Sequence, residues 1–261
     1  MAKKDCPECQ GTGWKSVETN GVRGVVRCAC ESGSAADGLL ARAQIPRRYE
    51  QCAFENFDIR KDAKTGRPNP SLATAKLVAQ KLVEEYPTDL GLLFIGPTGV
   101  GKTHLAVATL RELGLRKGVE CRFQDFHELL KAIRDSYNPL AQSTELGIVQ
   151  PIVDAEVLLL DELAELNPTD WAKGTLSYVI NSRYNRKKLT LITTTLPLPE
   201  ERPKQRARTP GGEAVPDVEA TLDRLGPTLS SRLHEMCKVV PMHSDDYRKA
   251  IKQAHFRLDV E

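Results

Sequence analysis

The chain has 261 residues, 40% of them hydrophobic, and a formal net charge of +2. That length suits one large domain, or a large one with a small appendage, and the near-balanced charge leaves any nucleic-acid contact to local basic patches. With no long apolar run and no signal-peptide core after Met1-Ala2-Lys3-Lys4, the composition argues against a membrane partner and predicts a soluble, cytoplasmic protein.

Seven cysteines in such a compartment do not read as a disulfide framework. Four stand at the front, in Cys6-Pro7-Glu8-Cys9 and Cys28-Ala29-Cys30. The first pair, followed by Gln10-Gly11-Thr12-Gly13, makes a tight knuckle. Two thiolates can meet one tetrahedral ion there while the glycines let N–H groups turn back toward sulfur. The residues between the pairs, with Trp14, Val17, Val22, Val25 and Val26, suit a small hairpin that joins them. Residues 1–31 are therefore expected to form a Zn2+-binding module, whose folding energy comes from the metal because so small a piece has little core. The other reading is a set of redox dithiols or free thiols. Cys52, Cys121 and Cys237 lie singly and read as packing residues.

Small polar residues around Glu31 to Gly38 make residues 32–44 a linker. The larger domain is expected to span residues 45–261, opening with Ile45-Pro46-Arg47-Arg48-Tyr49. Phe54 and Phe57 either anchor that opening or sit against a nucleotide base. Leu72, Ala75, Ala79, Leu82, Val83 and Tyr86 recur at helical spacing and predict a helix from Ser71 to Tyr86, which Pro87 helps to stop.

Next comes Gly96-Pro97-Thr98-Gly99-Val100-Gly101-Lys102-Thr103, which meets every fixed position of the phosphate-binding loop G-x-x-x-x-G-K-[ST]. The apolar run Leu92-Leu93-Phe94-Ile95 before it reads as a strand, and the segment from His104 to Leu110 after it reads as a helix. Glycines let the backbone close around a phosphate, so that N–H groups and the helix N-terminus face negative charge. In this setting Lys102 reaches the β and γ phosphates of ATP and the Thr103 hydroxyl holds Mg2+.

Beyond the loop, strand and helix patterns alternate. Cys121-Arg122-Phe123 reads as a strand, Phe126 to Ile133 as a helix, Val157 to Leu160 as a buried strand, Trp171 to Tyr184 as a helix, and Leu189 to Thr193 as another buried strand. Such alternation predicts an α/β fold, a parallel sheet flanked by helices. Asp161-Glu162 follow the buried run, at the strand end where ligands of open α/β sheets bind. Asp161 suits Mg2+, and Glu162 suits orienting and deprotonating the water that attacks the γ-phosphate. A carboxylate beyond the Mg2+ ligand favours hydrolysis of ATP over transfer to a small molecule.

The stretch from Pro199 to Thr221, rich in Pro, Gly and charge, predicts a mobile loop at residues 199–221. Its Arg202, Lys204, Arg206 and Arg208, and the earlier Arg183, Arg186, Lys187 and Lys188, either touch a phosphate backbone or form a solvated face. Asp245 to Ile251 reads as a closing helix.

From about Ile45 onward the chain resembles the small AAA+ ATPases of the DnaC/IstB type, bacterial replicative-helicase loaders and transposition helpers. The resemblance rests on Gly96 to Thr103, Leu158-Leu159-Leu160-Asp161-Glu162, Asn167-Pro168-Thr169-Asp170-Trp171, Asn181-Ser182-Arg183-Tyr184 and Ser231-Arg232-Leu233. It implies a P-loop NTPase fold of the AAA+ (ASCE) type. It also implies a polar sensor at the end of Thr193-Thr194-Thr195, where the family commonly has Asn and this chain has Thr195. Arg232 matches the arginine finger that reaches the ATP of a neighbouring subunit, unless it only stabilises a helix surface. The implied activity is ATP hydrolysis by a homo-oligomer with shared ATP sites that loads a replicative DNA helicase onto single-stranded DNA. The cysteine knuckle looks like the zinc module that some helicase loaders carry. Two other readings stay open, a transposition helper on double-stranded DNA and a P-loop small-molecule kinase.

Overall fold

The computed structural model describes residues 6–10, 12, 14–19, 22–27, 38–61, 66–163, 169–195 and 225–249. The expected mobile loop at 199–221 and the cysteines Cys28 and Cys30 lie outside them, as do residues 32–37 of the expected linker. Near the front, β1 (Trp14–Thr19) and β2 (Val22–Arg27) form the expected antiparallel hairpin, with Trp14 opposite Arg27 and Thr19 opposite Val22. The preceding turn is closed by the Gln10 N–H on Cys6 O at 2.8 Å.

The larger unit is a five-stranded parallel sheet clad by helices. In chain order its elements are α1 (Pro70–Glu85), β3 (Gly91–Gly96), α2 (Lys102–Lys117), β4 (Cys121–Asp125), α3 (Phe126–Ser136) and α4 (Glu145–Asp154). There follow β5 (Val157–Asp161), α5 (Asp170–Asn185), β6 (Leu189–Thr195), α6 (Pro227–Met236) and β7 (Cys237–Pro241). Strand order across the sheet is β4-β5-β6-β3-β7, every pairing parallel.

Apolar runs become central strands here because both faces are covered. Phe94, Leu159 and Leu191 point to one face with Leu72 of α1 and Leu110 of α2; Leu93, Leu158 and Ile192 point to the other with Leu129, Ile152, Leu176 and Leu233. All of β3 and β5 is buried. At about 1.5–3 kcal/mol per fully buried large apolar side chain, these strand residues dominate the stabilisation of the sheet.

Helix starts obey local chemistry. The Asn69 side chain accepts the Ser71 and Leu72 amides, and Asp125, Thr144 and Thr169 cap α3, α4 and α5 in the same way, each worth about 1 kcal/mol. Two helices start at a glycine without a side-chain cap, α6 at Gly226 with Pro227 next to it and α2 at Gly101 in the phosphate loop. The first N–H groups of α2 are left for something else to satisfy.

The strands and helices expected between residues 71 and 193 all appear, the closing helix expected from Asp245 to Ile251 lies partly outside the described residues, and α4, α6 and β7 were not anticipated. The segment expected as linker also differs at its end. Ala43 is fully buried, and its carbonyl accepts the Phe123 N–H at 2.7 Å, so packing of the larger unit takes in residues before Ile45. Cys52, Cys121 and Cys237 are buried as packing residues. Burial pushes the thiols of Cys121 and Cys237 up to about 12, which removes them from thiolate chemistry.

Candidate nucleotide-binding site

Placing β6 between β3 and β5 brings three strand ends together at the carboxyl edge of the sheet. The loop from Gly96 to Thr103 leaves β3 and turns into α2. Two of its glycines have backbone angles that side chains rarely adopt, Gly99 at φ +79° and Gly101 at φ +100°. A Cβ on Gly101 would also stand 2.7 Å from the Phe57 ring. Lys102 is 7% exposed, and its Nζ donates to Gly96 O at 2.8 Å and Pro97 O at 2.9 Å. Burial pulls its pKa down to about 8, while Glu162 and Asp161 hold it up. The ammonium is thus charged near neutrality and held by neutral carbonyls that a phosphate can replace.

A hydroxyl network joins the loop to β5. Thr103 Oγ1 donates to Asp161 Oδ1 at 2.9 Å, and Thr193 Oγ1 donates to the same oxygen at 2.5 Å. Asp161 is 2% exposed, and burial pushes its carboxyl up to about 6 against those two hydrogen bonds. The next residue, Glu162, leaves the strand at φ +54° with its side chain exposed. Its amide donates to Thr193 Oγ1 at 3.0 Å. Thr195, the expected sensor, is half-buried at the end of β6. The contact to Asp161 comes instead from Thr193, two residues earlier on the same strand face. Thr103 Oγ1 and Asp161 Oδ1 are hard oxygen donors side by side, which fits Mg2+.

Gly99, Gly101, Lys102, Thr103 and Glu162 line a cavity of about 310 Å3 together with Thr98, Val100 and Thr195, near the lower end of ligand-pocket volumes, and Asp161 is joined to that lining through its bond from Thr103. Two further walls were, Phe57 apart, not foreseen. One carries Arg48, Tyr49, Phe57 and Arg60; the other carries Tyr247 and Arg248. Phe57 packs as an anchor, being buried and meeting His104 edge-on at 5.4 Å, and it also lines the cavity. His104 in turn hydrogen-bonds Ala53 O at 2.9 Å. The Tyr247 amide donates to Gly99 O at 3.1 Å, and the Arg60 guanidinium lies 5.3 Å from the Tyr247 ring. That segment is tied down by the start of α1. Ser71 Oγ donates to Pro241 O and accepts the His243 N–H, while Asn69 Nδ2 donates to His243 O.

The remaining expected residues lie elsewhere. Arg232, on α6, does not line the cavity and hydrogen-bonds Asn181. Cys6 and Cys9 share the turn before β1, so the structure describes only two of the four expected Zn2+ ligands.

The basic cluster from Arg183 to Lys188 is corrected in part. Arg183 is fully buried and donates to the carbonyls of Ile152, Val153, Ala155, Glu156 and Leu189 and to Thr190 Oγ1. Arg186 pairs with Asp154, and Lys188 with Glu156 at 2.8 Å. Arg183 therefore cannot meet a phosphate backbone, and two of its neighbours are already committed to carboxylates.

Among the described residues no helix is long and apolar enough to cross a membrane. Comparison with known proteins gives a consistent neighbourhood. The YqaM protein of Bacillus subtilis (strain 168) is 24% identical over 246 residues, 90% of this chain and 66% of that protein. The replicative helicase loader DnaC of Escherichia coli (strain K12) is 26% identical over 154 residues, 59% of each. The chain thus spans just under two thirds or less of these relatives' lengths. The crystal structure of the DnaC helicase loader superposes with a TM-score of 0.61 at 28% identity, over 76% of this chain and 100% of that one. The family described as IstB-like ATP binding protein matches residues 48–255. Since that span holds the whole parallel sheet and every residue lining the cavity, the chain belongs to the IstB-like ATP-binding protein family, with an AAA+ P-loop fold.

Proposed function

We propose that this chain is an ATP-hydrolysing switch that loads a replicative DNA helicase onto single-stranded DNA, working in the cytoplasm as a homo-oligomer with shared ATP sites. Hydrolysis is supported chiefly by Glu162, one residue beyond the buried Asp161, turned out of the strand and exposed on the cavity wall. A carboxylate so placed suits a general base for the attacking water. Lys102 and the amides of the loop bind the phosphates. Thr103 and Asp161 supply oxygens for Mg2+, which when bound neutralises phosphate charge. Thr195 offers a hydroxyl near Glu162, and Arg248 adds a second cation on the cavity wall. Arg232, away from its own cavity, serves the ATP of a neighbouring copy, an arrangement worth roughly 10³ to 10⁵ in rate where it is known.

Helicase loading is supported by the likeness to DnaC in both sequence and structure. An N-terminal module with Zn2+ held by Cys6, Cys9, Cys28 and Cys30 would grip the helicase. A second reading stays open, a transposition helper acting on double-stranded DNA, supported by the likeness to an insertion-sequence ATP-binding protein of Geobacillus stearothermophilus. A small-molecule kinase fits less well, because Glu162 faces the cavity where such an enzyme has no use for a water-activating base.

The test is ATPase rate against protein concentration, with single-stranded DNA, double-stranded DNA or a replicative helicase added. Specific activity that climbs with concentration and responds to single strands and helicase is the expected result. A response to double strands alone turns the assignment to the transposition helper. A flat rate indifferent to every addition rules out the shared site.

A further inference from the structure

We infer that Asn181 and Tyr184 are positioning residues for Arg232, holding its guanidinium in the orientation from which it reaches the nucleotide of a neighbouring copy. The inference rests on the reading of Arg232 as acting between copies.

Arg232 Nη1 donates to Asn181 Oδ1, and the guanidinium lies 5.6 Å from the centre of the Tyr184 ring. Tyr184 is itself fixed, because its hydroxyl donates to Glu235 Oε2 at 2.9 Å. Asn181 and Tyr184 stand three apart on α5, and Arg232 and Glu235 three apart on α6, so each pair shares a helix face. The four side chains lock the two helices together at one spot.

Both groups that hold Arg232 are neutral. Glu235, the nearby carboxylate, bonds the tyrosine hydroxyl, and among the described residues no salt bridge to Arg232 is formed. An amide oxygen and a ring face orient a guanidinium without cancelling its charge. Among the described residues one of the five N–H donors is used, and the others suit phosphate oxygens. A carboxylate in the place of Asn181 would give a tighter grip and a weaker finger.

The platform is rigid for a separate reason. Arg183 sits between the two holding residues, fully buried and bonded to six acceptors on α4, β6 and the turn between α4 and β5. The α5 turn that carries Asn181 and Tyr184 is thereby pinned to the sheet. A long, flexible arginine is ordered before any partner arrives, which removes part of the entropic cost of engaging it.

The experiment compares ATP turnover at saturating protein for Asn181→Ala, Tyr184→Leu, Tyr184→Phe and Arg232→Ala, followed by mixing. Loss of orientation lowers kcat roughly 10- to 100-fold in Asn181→Ala and Tyr184→Leu, with KM for ATP nearly unchanged. Tyr184→Phe keeps the ring and recovers most of what Tyr184→Leu loses. Asn181→Ala has an intact ATP site and a misdirected finger, whereas Glu162→Gln has the reverse. Mixing the two should give more activity than their sum, a rescue that a misfolded variant cannot show. No rescue, or a normal kcat for Asn181→Ala beside a dead Arg232→Ala, overturns the inference. A normal kcat for Arg232→Ala instead overturns the between-copies reading beneath it.

Discussion

Thr193 Oγ1 donates to Asp161 Oδ1 at 2.5 Å while accepting the Glu162 amide at 3.0 Å. One hydroxyl on β6 therefore sets both carboxylate positions at the end of β5. Thr193→Val keeps the shape and removes both bonds. The stranded amide and the less supported carboxylate should cost about 1–3 kcal/mol, a fall in Tm of roughly 2–8 °C. Because that bond lowers the Asp161 pKa, its loss also moves the acid limb of Mg2+-ATP binding toward neutral pH. A melting curve and acid limb like those of the parent would remove Thr193 from this role.

The two perturbed groups define a pH window for ligand binding. Below about 6, Asp161 takes up a proton and ceases to suit a cation; above about 8, Lys102 loses one and ceases to attract phosphate. Mg2+-ATP affinity should thus be highest between these values. The stability signs run opposite to the usual acid and base cases. Asp161, raised by burial, costs folding stability as pH climbs from its unfolded value toward 6, and Lys102, lowered by burial, returns stability as pH climbs from 8 toward its unfolded value. Calorimetry at pH 8 in buffers of different ionisation enthalpy should register proton uptake when ATP binds. Heats independent of buffer would contradict the Lys102 assignment.

Arg183 gathers five carbonyls and the Thr190 hydroxyl and, among the described residues, pairs with no carboxylate. Burial lowers its pKa to about 10, so the guanidinium stays charged at neutrality. Arg183→Met should cost roughly 3–5 kcal/mol by stranding those acceptors. Arg183→Lys should recover little, since an ammonium has three donors and no planar fork. Chemical denaturation decides the matter, and a lysine variant as stable as the parent would mean that charge alone suffices.

Asn69 has two separable jobs. Its oxygen caps α1 and its amide nitrogen holds His243 O, on the way to Tyr247 and Arg248. Asn69→Asp keeps the cap and loses the second bond, so ATP affinity should fall with Tm nearly intact. Asn69→Ala should lower both, by about 0.5–2 kcal/mol for the cap. Equal ATP affinity in Asn69→Asp and the parent would uncouple the cap from the cavity wall.

Much of this was legible in the residues. β3, β5 and β6 announce themselves as apolar runs because both sheet faces are covered, and α1, α3 and α5 by the spacing of their buried side chains. What escaped notice has physical reasons. α4 is ten residues long with Pro151 inside it, too short and interrupted for a clear period. α6 runs into β7 at Met236–Cys237 with no turn residue between them. Thr193 and Thr195 share a strand face, so the composition could not choose between them. Arg183 looked like one more surface cation, since burial of an arginine by backbone carbonyls leaves no mark on local spacing. Tyr247 and Arg248 reach the cavity only through contacts made some 150 residues away in sequence.

The position of β3 bears on how the protein is made. Its neighbours are β6 and β7, with Leu92 opposite Leu191 and Gly91 opposite Cys237. Both partners emerge from the ribosome long after it does. Pairings of such wide separation carry a loop-closure penalty and slow folding. The phosphate loop is synthesised early, yet the wall bearing Tyr247 and Arg248 cannot close on it until β7 has docked. During translation the nascent chain therefore holds an exposed apolar strand edge beside an unfinished nucleotide site, and ATP can reward folding only at the last step.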